Sequence, residues 1–423
     1  MTKARLRFFE NSVTQRHITV ADRYLYKQDA PRYNLVVIGT GTMGQEHMRV
    51  AALLGRARVL GIYDPQPDSM DAAEEAYRMI SSDQLRRYAD LESACNDPDA
   101  DVLMICTPNF THFQLLETAM ASGKPIFLEK PMATTLADAV AIVDAAQQYS
   151  AFVQIGLQYR YKAQYQEAFY EIKKRASVGR IHTISMSEYR PPFLDKVGQW
   201  NKFNGNTGGT LVEKCCHYFD LINLMADSHA VRVYASGGRA VNFVDFQKDG
   251  VASDIDDHAF VSIDYANGIR ASFTLNMFCP DFTEELVVTG ERGRLLTFER
   301  FDFHAQLPTQ TSISLELGES AASRKTELSY PALIEQSGHH GATYYEHIAL
   351  MDRLDGQQVD CATLQQGLWS MIVACAAQQS MRIGQVVNIE SFLKEQKLAH
   401  LSEHISEDLS QHLSEHLSEG GTL

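Results

Sequence analysis

The stretch RYNLVVIGTGTMGQEHMRVAALLG, residues 32–55, limits the folds open to this chain more than any other. Leu35-Val36-Val37-Ile38 is a short continuous apolar run, the mark of a strand buried on both faces. Gly39, Gly41 and Gly44 follow in G-x-G-x-x-G spacing, and Met48, Ala52 and Leu53 continue on a helical period. Strand, glycine turn and helix in that order open a parallel βαβ unit that cradles a dinucleotide. The first glycine permits the tight turn, the second lets backbone approach a pyrophosphate, and the third lets helix and strand pack closely. Thr42 and Met43 fall in the first helical turn, whose N–H groups and positive dipole end face the phosphates. A second strand, RVLGIYD, ends at Asp64, 20 residues beyond Gly44, where an acid hydrogen-bonds the adenosine ribose 2′-hydroxyl. A carboxylate there repels a 2′-phosphate, so NAD is favoured over NADP. A turn or capping residue ahead of Pro65 is the plainer reading of the same aspartate.

The alternation continues through ADVLMICTPN, THFQLLETAMASG, KPIFLEKPM, TLADAVAIVDAAQQ and AFVQIGL. Strands alternating with helices mean a doubly wound parallel sheet with ligands at the strand carboxyl ends. Thr107, Pro108, Asn109, Glu129 and Lys130 fall at such ends, and His112 closely follows. From about residue 180 the texture changes. IHTISMSEYR, VRVYASGG, HAFVSIDYANGIRASFTLNMF and ELVVTGERGRLLTFE alternate as antiparallel strands, with Asn267-Gly268 as a two-residue hairpin signal. Residues 343–383 return to helical periodicity. The expected fold is therefore α/β: an N-terminal Rossmann domain over 34–157, then an α+β domain with a large open antiparallel sheet over 158–392. Residues 1–33 are expected to form an arm and 393–423 a low-complexity tail.

Composition narrows the function classes. A net charge of −15 opposes nucleic-acid binding, since no basic face would offset phosphate repulsion. No apolar run approaches the roughly 20 residues of a membrane helix. Seven cysteines, an odd number scattered over 423 residues, read as reduced thiols in a cytoplasmic protein rather than a disulfide framework. The tail LSEHISEDLSQHLSEHLSEGG repeats every four residues, so its apolar stripe drifts by about 40° per step. His400/His404 and His412/His416 have a chelating spacing, but a solvated tail is the expected state and no metal site is assigned.

The stretch GGTLVEKCCHYFDLI, residues 208–222, carries the chemistry. On one continuous helix, Glu213, His217 and Asp220 share a face, while Cys215 points into packing with Tyr218, Phe219 and Ile222. Cys216 lies at the border. Adjacent cysteines point about 100° apart and cannot jointly grip a tetrahedral ion. An acid–base reading remains: His217 carries a proton near neutral pH and a carboxylate one turn away supports it. Glu213 has a second reading, because Thr210-Leu-Val-Glu213 is also a capping box. Lys130, at a strand end, can donate to a substrate hydroxyl and stabilise alkoxide, with Glu129 orienting it or the nicotinamide ribose. Arg160, just after the last Rossmann strand, is a candidate substrate contact. So are Trp200 and Asn201 in the loop GQWNKFNGNTGG, together with Asp220 and with His340 ahead of a helix.

The ordered set GTGTMG, TPNFTH, EKP and GG-x-L-x-E-x-x-x-H-x-x-D, with the two domain textures, resembles the Gfo/Idh/MocA oxidoreductase family from about residue 33 to 392. The resemblance implies a Rossmann domain, a C-terminal open sheet, and homo-dimers or homo-tetramers associating through it. It also implies a cis peptide before Pro131 and a polyol, inositol or sugar substrate. The family normally has aspartate at position 213 and glycine at 215; Glu213 and Cys215 depart from that. The expected activity is NAD-dependent hydride transfer at a secondary hydroxyl, with Lys130, His217 and Glu213 catalytic. An NAD-dependent glycoside hydrolase and a non-catalytic dinucleotide sensor are the alternatives.

Overall fold

The computed structural model describes residues 31–192, 195–302 and 309–405. They form two compact units, neither of which is a single run of sequence. The first comprises residues up to Glu129, Ala145–Tyr161 and Tyr330–Thr363; the second comprises Lys130–Asp144, Lys162–Ser329 and the chain from Leu364. Most of the expected N-terminal arm, and residues 406–423 of the tail with the His412/His416 pair, lie outside the described residues.

The first unit is built on six parallel strands: β1 (Tyr33–Ile38), β2 (Ala57–Tyr63), β3 (Arg86–Arg87), β4 (Val102–Ile105), β5 (Ile126–Glu129) and β6 (Val153–Gly156). Their order is β3-β2-β1-β4-β5-β6. Leu35 to Ile38 are wholly buried, as a strand covered on both faces requires. The order reverses between β1 and β4, which puts the ligand crevice outside their carboxyl ends. The helix Thr42–Leu54 covers one face. A helix from far along the chain, Ala342–Leu354, belongs to the same unit. Leu350 and Met351 enter the core of Val37, Met104 and Phe127. At its end Arg56 reaches Asp352 at 2.6 Å and Asp355 at 2.7 Å.

The second unit holds β7 (Ile181–Tyr189), β8 (Ala230–Gly238), a ribbon of β9 (Gln247–Lys248) and β10 (Val251–Ala252), β11 (His258–Tyr265), β12 (Arg270–Asn276), β13 (Phe282–Gly290), β14 (Gly293–Phe301), β15 (Gln310–Glu316), β16 (Arg324–Glu327) and β17 (Val387–Asn388). Apart from the ribbon they form one sheet in the order β16-β15-β14-β13-β7-β12-β11-β8-β17. The sheet is mixed rather than wholly antiparallel, because β7 and β12 pair in parallel. Strand alternation cannot reveal this, since period 2 is common to both pairings. The hairpin after β11 also differs from expectation. Tyr265 and Ile269 close a three-residue loop in which Gly268 alone takes positive φ, at 87°, so the turn is not the two-residue type. The helices Cys216–Ala226 and Leu364–Ile383 belong to this unit and bury Phe219, Ile222, Leu368 and Ile372. Leu401 and Ile405 are buried too, so the start of the tail packs instead of being solvated.

Candidate active site

The glycine turn has the geometry that its spacing demands. Gly39 takes φ 91°, and a Cβ there would stand 2.7 Å from the Cys106 and Thr107 backbone at the end of β4. A Cβ on Gly44 would meet the Gly39 carbonyl oxygen at 2.0 Å, so only glycine lets helix and strand approach this closely. Gly41 has nothing within 4 Å of its Cβ position, and the helix it precedes has no side-chain cap. The N–H groups of that first turn, with Thr42 and Met43, are thus left for a ligand. This fits a pyrophosphate. Asp64 accepts from the Thr40 and Gln66 backbone N–H groups, both at 2.9 Å. The Thr40 hydroxyl also donates to Oδ2, at 3.3 Å, while Oδ1 retains a second lone pair, so the turn role and a ribose contact coexist.

After β4, Thr107, Pro108 and Asn109 form the next turn. The Thr111 hydroxyl is 2.7 Å from both the Thr107 Oγ1 and the Pro108 carbonyl oxygen. His112 is fully buried, with Nε2 3.0 Å from the Thr107 carbonyl oxygen, so it braces the turn from inside. Glu129 ends β5 as a buried carboxylate 2.8 Å from His47 Nε2. Arg160 and His340 belong to this first unit. Arg160 is buried and its charge acts on Glu346; His340 sits in the left-handed region at φ 55°.

The second unit holds the proton-handling residues, and here the structure corrects the sequence reading. The expected single helix is broken: Thr210–Glu213 is one short helix, Cys216–Ala226 another, with Lys214 and Cys215 in a turn. The break releases the Glu213 carbonyl from the helical ladder. It accepts a hydrogen bond from Lys130 Nζ at 3.0 Å, and the Cys216 thiol lies at 3.7 Å. The Lys130–Pro131 peptide is cis. The capping box is not formed either. Gly209 occupies the N-cap, and the Thr210 hydroxyl donates to the Asp256 carbonyl at 2.6 Å. The two preceding glycines are required by close approach, since a Cβ on Gly209 would fall 1.7 Å from Gln378 Oε1 and one on Gly208 2.8 Å from the Thr134 carbonyl oxygen.

Glu213 is consequently a buried carboxyl that does no capping, and its Oε2 has no hydrogen-bond partner among the described residues. Burial raises its pKa, opposed by the charges of Lys130, Lys196, Arg190 and Lys214. Lys214 lies 3.2 Å from Glu188, yet burial brings its pKa down to about 8. Arg190, Lys196 and Lys214 were missed from the sequence because they come from the segment after β7 and from the helix break. His217 and Asp220 are buried one turn apart on the second helix. Cys216, expected at a polar border, is fully buried, and burial pushes its thiol up to about 11 and the Cys215 thiol well above its ordinary value, the reverse of the lowering that activates a thiol. Of the other candidates, Asn201 is buried and Trp200 half-buried, in a segment kinked at Gly198 and Gln199. No group of metal-ligating side chains occurs among the described residues. All seven cysteines are unpaired, and no described helix is long and apolar enough to cross a membrane.

Comparison with known proteins agrees with both halves. Residues 33–157 match the model of an oxidoreductase family with an NAD-binding Rossmann fold, and 174–389 match that family's C-terminal alpha/beta domain. The uncharacterized oxidoreductase YrbE of Bacillus subtilis is 25% identical over 361 residues, covering 84% of this chain and 96% of that protein. An inositol 2-dehydrogenase of Pseudomonas fluorescens is 27% identical over 365 residues, covering 84% and 96%. Among solved structures, an oxidoreductase from Agrobacterium radiobacter in complex with NAD+, L-tartaric acid and magnesium superposes with a TM-score of 0.68 at 17% identity, covering 85% of this chain and 99% of that one. The first unit is an NAD-binding Rossmann domain, and the chain belongs to the Gfo/Idh/MocA family of oxidoreductases.

Proposed function

We propose that this oxidoreductase is an NAD-dependent dehydrogenase acting on a secondary hydroxyl, or the matching ketone, of a polyol, inositol, sugar or sugar derivative. The observation that carries the reading is the hydrogen bond from Lys130 to the freed Glu213 carbonyl, which holds an ammonium group at the helix break just ahead of His217. The relative named inositol 2-dehydrogenase supports the substrate class.

Bound NAD supplies a hydride acceptor. Gly39, Gly41, Thr42, Met43 and Gly44 would hold its pyrophosphate, Asp64 its adenosine ribose, and Thr107, Pro108, Asn109 and Glu129 would flank it at the carboxyl ends of β4 and β5. His217 accepts the proton of the substrate hydroxyl and returns it in the reverse direction. Lys130 donates to the same oxygen and stabilises its growing negative charge. The buried Glu213 carboxyl holds a substrate hydroxyl or His217 itself. Asp220, Trp200 and Asn201 supply further polar and stacking contacts.

The test is a panel of free polyols, inositols and aldoses with NAD and NADP, followed at the nicotinamide absorbance. At least one compound should reduce NAD in preference to NADP, and His217→Ala should slow that turnover by about 10²–10⁴-fold. Glycoside cleavage without net reduction would indicate the hydrolase reading instead. Cofactor binding without any turnover would indicate a sensor.

A further inference from the structure

Two histidines that the chemistry above does not use lie beneath the dinucleotide site, inside the first unit. His47 sits on the helix that begins at the glycine turn, and His347 on the helix Ala342–Leu354. Both rings are buried, at 0% and 1% exposure. His347 Nε2 lies 2.8 Å from His47 Nδ1, and His47 Nε2 lies 2.8 Å from Glu129 Oε1. The two rings stack with centroids 5.1 Å apart, and Phe127 stands edge-on to His47 at 5.0 Å. Gly156 leaves the carboxylate its room, since a Cβ there would come within 3.2 Å of Glu129 Oε1.

One arrangement of protons satisfies both contacts without leaving a buried donor stranded. His347 Nδ1 has no hydrogen-bond partner among the described residues. If it carried a proton, an N–H would be orphaned in the interior, which is rarer and costlier than a bare lone pair. The proton therefore sits on His347 Nε2 and is donated to His47 Nδ1. His47 then carries its own proton on Nε2 and donates it to Glu129. Burial holds the His347 pKa well below the ordinary imidazole value, so this ring stays neutral. At Glu346, the residue before it, burial first and then the negative charges of Glu129 and Glu46 push the carboxyl well above the usual range.

We propose that His347 and His47 are positioning residues for the cofactor. They form a one-way hydrogen-bond chain, His347 to His47 to Glu129, that fixes the Glu129 carboxylate as an acceptor for a hydroxyl of the nicotinamide ribose. The chain rests on dinucleotide binding by the first unit and not on the identity of the substrate. It acts from behind the carboxylate, so loss of a ring alters cofactor affinity without removing any group that touches the substrate.

Two measurements test this. Nitrogen-15 NMR of histidine-labelled wild-type protein at neutral pH should show both rings neutral, each with its proton on Nε2. A cationic ring, or His347 protonated on Nδ1, overturns the proposal. The second measurement is NADH affinity by nicotinamide fluorescence. His347→Phe should raise Kd about fivefold, the size of a lost hydrogen bond between neutral groups. His347→Gln, whose amide N–H reproduces the Nε2 donor, should restore affinity to within about twofold of wild type by the same reasoning. A phenylalanine variant with wild-type thermal unfolding and unchanged Kd overturns the proposal. The NMR result stands even if that variant fails to fold. Wild-type protein that binds NADH but oxidises no polyol would count against the proposed substrate and leave the relay intact.

Discussion

Single residues decide how this chain holds charge in its interior. Glu46 is the clearest case. Burial opposes its ionisation, but His339 at 2.7 Å and the Thr343 hydroxyl at 2.6 Å outweigh it, and its pKa falls from 4.5 to about 2. An acid with a depressed folded-state pKa stabilises the fold above its unfolded value and loses that contribution as pH falls through the folded one. The window here is pH 4.5 down to about 2. The linkage is worth about 3 kcal/mol, to order of magnitude. Wild-type protein should lose stability across that window in urea titrations, and Glu46→Gln should be less stable at neutral pH but flatter below pH 4.5. A wild-type slope retained in the variant would contradict this. Asp64, Lys130 and His217 were legible in the sequence because their spacing ties them to strand ends and a helix face. Glu46, His47, Glu346 and His347 were not. Their only signal was a polar pair on the inward side of an apolar-periodic helix, and the contacts that join the two helices, His47–His347 and Glu46–Thr343, span nearly 300 residues.

At the scale of elements, the glycines and the helix break position the site. Gly44→Ala puts a methyl group 2.0 Å from the Gly39 carbonyl oxygen, so helix Thr42–Leu54 must move away from β1. Overpacking of this kind costs about 1–3 kcal/mol. The variant should show that loss in urea unfolding together with weaker NADH binding; unchanged stability and affinity would remove the close-packing argument. The strands of the first unit were readable because a doubly buried strand is a continuous apolar run. The broken helix was not, because Lys214 and Cys215 are ordinary helix residues and their turn is imposed by tertiary structure. The parallel β7–β12 pairing was hidden for a related reason: alternation reports which face is buried and not which way the neighbour runs. Gly268 gave the hairpin its place but left the loop length open.

At the scale of the molecule, the nine-stranded sheet presents one face outward. Its pattern of buried and exposed residues along β11 leaves Phe260 at 61% exposure, and Tyr234 on β8 at 45%. Around them stand the small, exposed Ser236, Ser262 and Ser272. We propose that a second copy of the chain covers this face. Light scattering should show a dimer or larger homo-oligomer that Phe260→Glu dissociates; a monomeric wild type, or an assembly indifferent to the substitution, would contradict it. The discontinuous make-up of the two units was beyond the sequence, since nothing local in Ala342–Leu354 tells which core its apolar stripe joins. The central claim is that Lys130 and His217 serve hydride removal from a carbinol. The most direct measurement uses a substrate deuterated at the reacting carbon and follows the label in single turnover. Wild type should transfer deuterium stoichiometrically to the nicotinamide. Lys130→Ala should slow the transfer about 10²–10³-fold with NAD affinity retained. Deuterium left on or returned to the substrate, or transfer at an unchanged rate in the lysine variant, would contradict it.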